Sequence, residues 1–224
     1  MRPFATPVLF VCLWLGVCGC GTSRWALDDP DYAARYAGPY EGDKLPRMAK
    51  QVVDARHVAG KAGAYVGGAV QQDPLTAGGE IGVFAYDAPW LSRRVGLALL
   101  ASEAADDLFT GVNAGLRVQP PARLAPFAGL GVFAGFSRET VDADFDGLDN
   151  DGDGFIDEPG EVDRRTDGAL ASIYPEVGAH FWLTARTRLT ASAAYHVTTL
   201  GRDHDFWLYG VGLAILSGDG GASE

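Results

Sequence analysis

The densest chemistry in the chain is a run of carboxylates that starts Asp142-Ala-Asp-Phe-Asp-Gly and ends Phe-Ile-Asp-Glu158. Two D-x-D-x-D-G units stand in it: Asp142, Asp144 and Asp146 with Gly147, then Asp149, Asp151 and Asp153 with Gly154. Carboxylates at alternate positions of a tightly turning loop converge on one point, and glycine in sixth place permits the turn. Hard oxygen ligands of this kind suit Ca2+, with the Leu148 and Phe155 carbonyls falling at position seven. Position twelve of the second unit is Gly160, so Asp157 or Glu158 must supply the last carboxylate. The competing reading is a solvated acidic loop with no ion. Without an ion, so many like charges disfavour an ordered loop.

The elements that carry this loop follow from hydropathy. In Leu108–Gln119, Leu108, Thr110, Val112, Ala114, Leu116 and Val118 point one way, and Phe109, Gly111, Asn113, Gly115, Arg117 and Gln119 the other. A period of two is a strand with two different faces. Eight such segments are expected, at 62–72, 79–86, 93–103, 107–119, 123–138, 169–184, 187–199 and 204–216. The expected outward face includes Leu130, Val132 and Phe136, then Ile173 and Val177, then Leu189 and Tyr195, then Trp207, Tyr209 and Val211. It carries no charge. The other face is small and polar, with Gly129, Gly131, Ser192 and Gly210 on it and Trp182 assigned inward. Arg117, Glu176, His180 and His196 fall on that inner face by parity. In a narrow lumen Arg117 and Glu176 can pair, because an isolated buried charge is costly. Packing and polar satisfaction are the expected role of these four; the other reading is a gate or proton-sensitive plug.

Connections after even-numbered segments are short, and the longest connection, 139–168, follows an odd-numbered one. This is the spacing of short inner turns and longer outer loops in membrane barrels. Residues 21–60 do not alternate. Asp29 and Pro30 predict a helix start, with Gly38-Pro39 ending that helix. Asp43 is a second N-cap candidate, and Leu45, Met48, Val52 and Ala55 recur at helical spacing up to Gly60. The expectation is a periplasmic linker over 20–60 with one amphipathic helix, lying on the barrel mouth or the inner leaflet.

The first residues have the order of an export signal: Arg2, the apolar run Val8–Val17, then Val17-Cys18-Gly19-Cys20. That ending resembles a bacterial lipobox. It implies removal of residues 1–19 and acylation of Cys20. The formal net charge is −11, and loss of Arg2 leaves 17 basic against 29 acidic residues. Such acidity argues against a nucleic-acid partner.

Pro126-Phe-Ala-Gly-Leu-Gly-Val-Phe-Ala-Gly-Phe136, Tyr174-Pro-Glu-Val-Gly-Ala-His-Phe181 and Trp207-Leu-Tyr-Gly-Val-Gly-Leu-Ala-Ile-Leu216 resemble strands of small outer-membrane barrels of the OmpA/OmpX type. The acidic run is similar to calcium loops of the EF-hand, dockerin and thrombospondin-repeat kind. The barrel resemblance covers about 61–216 and leaves 217–224 as a tail. It implies an all-β fold, an eight-stranded antiparallel up-and-down barrel behind a short helical segment. It implies a non-catalytic structural or surface-interaction role, with loop 139–168 outside the cell. Outer-membrane lipid is the expected partner, with an extracellular ligand at the loop and a monomeric state. The alternative is a lipid-tethered soluble barrel that binds an apolar ligand, as lipocalins do; its apolar residues would face inward. A lipid-modifying hydrolase would need a polar triad on the outer wall. Here the faint echo of one, His196 and Thr198 with Glu176, has His196 facing inward.

Overall fold

In the computed structural model, the described residues are 25–39, 44–72, 75–102, 108–143, 147, 154–155, 162–199, 201–202 and 205–217. Eight antiparallel strands close into one barrel: β1 (Ala62–Gln72), β2 (Leu75–Ala88), β3 (Leu91–Ser102), β4 (Leu108–Val118), β5 (Leu124–Asp142), β6 (Val162–Trp182), β7 (Thr187–Thr198) and β8 (Phe206–Leu216). Each strand pairs with the next in sequence, and β1 pairs with β8 from Gly63↔Leu216 to Val70↔Tyr209. Closure leaves no free sheet edge.

The two faces differ as the alternation predicts. Val95, Leu97, Leu99, Val112, Leu116, Leu130, Val132, Ile173, Val177 and Val211 are exposed on the outer wall. Arg117, Glu176, His180, Arg188 and His196 are buried inside. Inward glycines make room for lumen rings on neighbouring strands. A Cβ at Gly131 would lie 2.2 Å from Cζ of Tyr174, and one at Gly178 would lie 2.5 Å from Cζ of Phe127.

Three boundaries differ from expectation. β2 starts at Leu75 rather than 79. β5 continues to Asp142 and β6 begins at Val162, so the expected 139–168 loop narrows to 143–161. The added rungs place Glu139 opposite Arg165 and Thr140 opposite Arg164, past a register shift between Ser137 and Arg138. The carboxylate-rich composition of the stretch hid these rungs.

The third difference lies in the N-terminal segment. Helix α1 (Pro30–Tyr36) is capped by the Asp29 carboxylate, which accepts from the Asp31 and Tyr32 amides. Helix α2 (Lys44–Val53) stops before Gly60, because Asp54 bridges to Ala122 of the β4–β5 turn. A 3-10 turn, Arg56–Val58, follows, and Gly60 has φ +74°. The Asp43 cap lies outside the described residues. Ala55 is therefore buried but not helical, while Leu45 and Met48 stay exposed on α2. The described residues of 25–61 take the barrel-mouth position that the sequence allowed. They sit against the end of the barrel where the short turns are.

Candidate functional site

The interior of the barrel and the segment that closes it form the candidate site. Alternation sends Tyr65, Glu80, Arg94, Asn113, Arg117, Tyr174 and Glu176 inward from five strands. Arg117 donates from Nε and Nη2 to the two Glu176 oxygens at 2.9 and 2.7 Å. Its guanidinium also lies 4.6 Å from the centre of the Phe127 ring. Arg94 donates to Glu80 at 2.9 and 3.1 Å and to the Tyr174 hydroxyl at 3.0 Å. Arg94 also stands 3.7 Å from Glu176, so the two ion pairs join. Tyr65 donates to Glu80, and Tyr174 donates to Asn113. A two-bond arginine–carboxylate fork fixes direction as well as charge, which suits a lumen that must hold one arrangement.

His180 and His196 are held by stacking. His180 lies 4.4 Å from Phe127 and its Nδ1 is 2.9 Å from the Thr190 hydroxyl. His196 lies between Tyr174 and Phe206, with centroids 4.3 and 4.8 Å away. Its Nδ1 is 2.8 Å from the Ser172 hydroxyl. A serine beside a histidine has the outline of a nucleophile and its base. This pair faces the lumen, with the histidine stacked between two rings, and His196 borders a cavity of about 80 Å³.

The end with the short turns is closed by residues 25–61. Trp25, Tyr32, Val58 and His57 pack with Tyr86, Trp182, Ala185 and Leu216 in one buried cluster. Backbone bonds pin the segment: Ala55 to Pro121 at 3.1 Å, Gly60 to Tyr86 at 2.8 Å and Arg123 to Val53 at 2.7 Å. The Trp25 indole and the Tyr32 hydroxyl both donate to the Gln51 carbonyl, at 3.1 and 2.5 Å. His57 Nε2 lies 2.9 Å from the Ala185 carbonyl. Burial pushes the His57 pKa down, opposed in part by that carbonyl bond. Burial alone would raise Asp54; bonds from Arg56 and Tyr36 outweigh it and hold the carboxyl at about 2. Asp29 is similarly held below its ordinary value, burial being outweighed by Lys61 and the Tyr32 amide. Burial raises the Tyr32 hydroxyl to about 12.

Of the residues singled out in the sequence, Arg117, Glu176, His180 and His196 meet in the lumen. Glu80, Arg94, Arg188 and Ser172 were missed, although the same parity rule places them inside. The strands of Glu80 and Arg94 are rich in Gly and Ala, which blurs the contrast between faces, whereas Ser172 and Arg188 lie on strands of clear parity and carry no further signal in the sequence. Asp144, Asp146, Asp149, Asp151, Asp153, Asp157 and Glu158 lie outside the described residues, as do Cys20 and the side chain of Asp142.

No family model matches this chain, and no curated protein matches it. Similar solved structures are small barrels. The N-terminal β-barrel domain of OprF from Pseudomonas aeruginosa is 13% identical, covering 71% of this chain and 98% of that one, with TM-score 0.46. Neisserial surface protein A is 12% identical, covering 69% and 94%, with TM-score 0.45. Ail, the attachment invasion locus protein of Yersinia pestis, is 13% identical, covering 71% and 99%, with TM-score 0.46. Likeness at this level says nothing of function, and the fold stands on the closed strand register described above.

Proposed function

We propose that this chain is an outer-membrane barrel of structural or surface-interaction role, without catalysis. One observation carries the reading. The exposed wall is apolar and uncharged at its centre, with the exposed Arg93–Asp87 pair at the strand ends, while Glu80, Arg94, Arg117, Glu176 and Arg188 are turned inward. A charge on that wall at mid-bilayer would cost about 2–4 kcal/mol, so lipid is the solvent the wall suits. A lipocalin-like ligand barrel needs the reverse arrangement. The hydrolase reading has no outward triad among the described residues, and its histidine is stacked inside the lumen.

In this reading the closed end with residues 25–61 is periplasmic, and acylated Cys20 tethers it to the inner leaflet. Exposed Leu45 and Met48 beside Lys44 and Lys50 on α2 suit an interfacial position there. The segment 143–161 then projects outside the cell. Gly147 and Gly154 have φ +78° and +99°, the sharp turn that position six of a calcium loop needs. We take this loop as a Ca2+ site built on Asp142, Asp144, Asp146, Asp149, Asp151, Asp153, Asp157 and Glu158. Ail has been crystallised with the heparin analogue sucrose octasulfate. The acidic loop here has the wrong sign for a polysulfate, so a cation or a basic surface is the better partner.

Gel mobility of membrane fractions with and without heating tests the barrel reading. Folded barrel should run differently from heated protein; release from membranes by lipase, with unchanged mobility on heating, would refute insertion. Calorimetric titration with Ca2+ tests the loop. Heat in the wild type that disappears in Asp151→Asn supports the site, and equal heats in both would remove it.

A further inference from the structure

Charge in the lumen does not balance. Among the described residues, three guanidinium groups (Arg94, Arg117 and Arg188) face two carboxylates, Glu80 and Glu176. Both carboxylates are engaged, Glu176 by Arg117 and Glu80 by Arg94. Arg188 is 3% exposed, with no described carboxylate in ion-pair range. It donates to the Tyr86 hydroxyl, and its Nε has no partner. The Phe84, Tyr86 and Trp182 rings lie 4.6, 5.6 and 5.6 Å from its guanidinium carbon. Rings attract a cation but leave its charge in place. An arginine does not shed its proton, so a buried one without a counter-charge is strongly unfavourable.

Space for a counter-charge lies beside it. The cavity of about 80 Å³ is bordered by Arg188, Thr190 and Ser192 and by the two neutralised pairs, Arg94 with Glu80 and Arg117 with Glu176, so Arg188 leaves its border net positive. It exists because β1 and β8 turn small residues inward: Gly67 and Ala69 on one strand, Gly210 and Gly212 on the other. The side chains from β2 to β7 therefore fill the lumen unevenly and leave the β1–β8 seam open.

We propose that this cavity binds one small inorganic anion, of the chloride class, with Arg188 supplying the uncompensated charge. The volume admits a monatomic anion with a few waters and excludes an organic acid of several carbons. The site is independent of the acidic external loop and of the calcium reading.

The test uses the full chain folded in detergent micelles. Sodium chloride replaces sodium gluconate at constant ionic strength, which separates binding from screening. Urea unfolding and the 35Cl NMR line width are followed together. At chloride ten times its dissociation constant, the folded-to-unfolded ratio should rise about elevenfold, with a broadened chloride line. Both effects should vanish in Arg188→Met. Stability flat in chloride with no broadening in the wild type overturns the site, as does an equal response in Arg188→Met. Should that variant fail to fold, wild-type crystals grown in bromide decide. An anomalous peak in the cavity supports the proposal, and none there overturns it.

Discussion

Glu176→Gln keeps the shape of the lumen and removes one charge. Arg117, which donates to Glu176 at 2.9 and 2.7 Å, then loses its carboxylate while remaining 8% exposed. Arg94 keeps Glu80 and loses only the 3.7 Å approach. One buried guanidinium is thus orphaned, and removing one partner of a buried pair costs about 3–5 kcal/mol. The amide oxygen left by the substitution still accepts a hydrogen bond from Arg117 and offsets about 1 kcal/mol of that. The expected loss is therefore about 3 kcal/mol, read from urea unfolding of the micelle-folded protein by tryptophan fluorescence. Arg117→Met combined with Glu176→Leu removes both charges and should recover most of that loss, since a buried pair is commonly replaceable by apolar groups. A single variant within about 1 kcal/mol of wild type would refute the buried-pair reasoning. So would a double variant as unstable as the single one.

Other outcomes follow from the same geometry. Gly131→Ala drives a Cβ into the Tyr174 ring, and about 1–3 kcal/mol of overpacking cost should appear as a lower urea midpoint. Trp25→Ala removes a buried ring from the cluster that closes the barrel, at about 3–5 kcal/mol; faster protease cleavage within 25–61, with the barrel intact, is the expected readout. The closing segment should also loosen in acid. His57 is buried with its pKa lowered, so its neutral form stabilises the fold fully above the unfolded value of 6.5, and that contribution is lost as pH falls below it. Asp54 titrates lower, and its contribution should survive until pH drops through 3.8 towards about 2. Hydrogen exchange in 25–61 that is unchanged between pH 7.5 and 5 would contradict the histidine's part.

Alternation in single strands made most of the wall legible. From Phe109 to Gln119 each side chain found the face its parity assigns, and Arg117 and Glu176 could be named as a pair before any register was known. The loop boundaries were less readable. Between Glu139 and Asp167 the carboxylates dominate the composition, and the strand rungs at Glu139↔Arg165 and Thr140↔Arg164 emerge only when the two strands lie side by side. The closing segment was legible as helices but not as a plug. The side chains that anchor it, Trp25, Tyr32 and His57, find partners in Tyr86, Trp182 and Ala185, with His57 and Ala185 128 positions apart.

What the sequence by itself determined is which residues face outward and which face the lumen, because a strand's period of two is a local property of the backbone. It also determined the spacing of the acidic run. What only the tertiary structure decided is which buried charges share a partner. Arg94, Arg117 and Arg188 are equivalent in parity, yet two of them find carboxylates and the third finds a tyrosine hydroxyl, aromatic rings and a cavity. Strand stagger and barrel closure set those distances, and neither is written in any one segment.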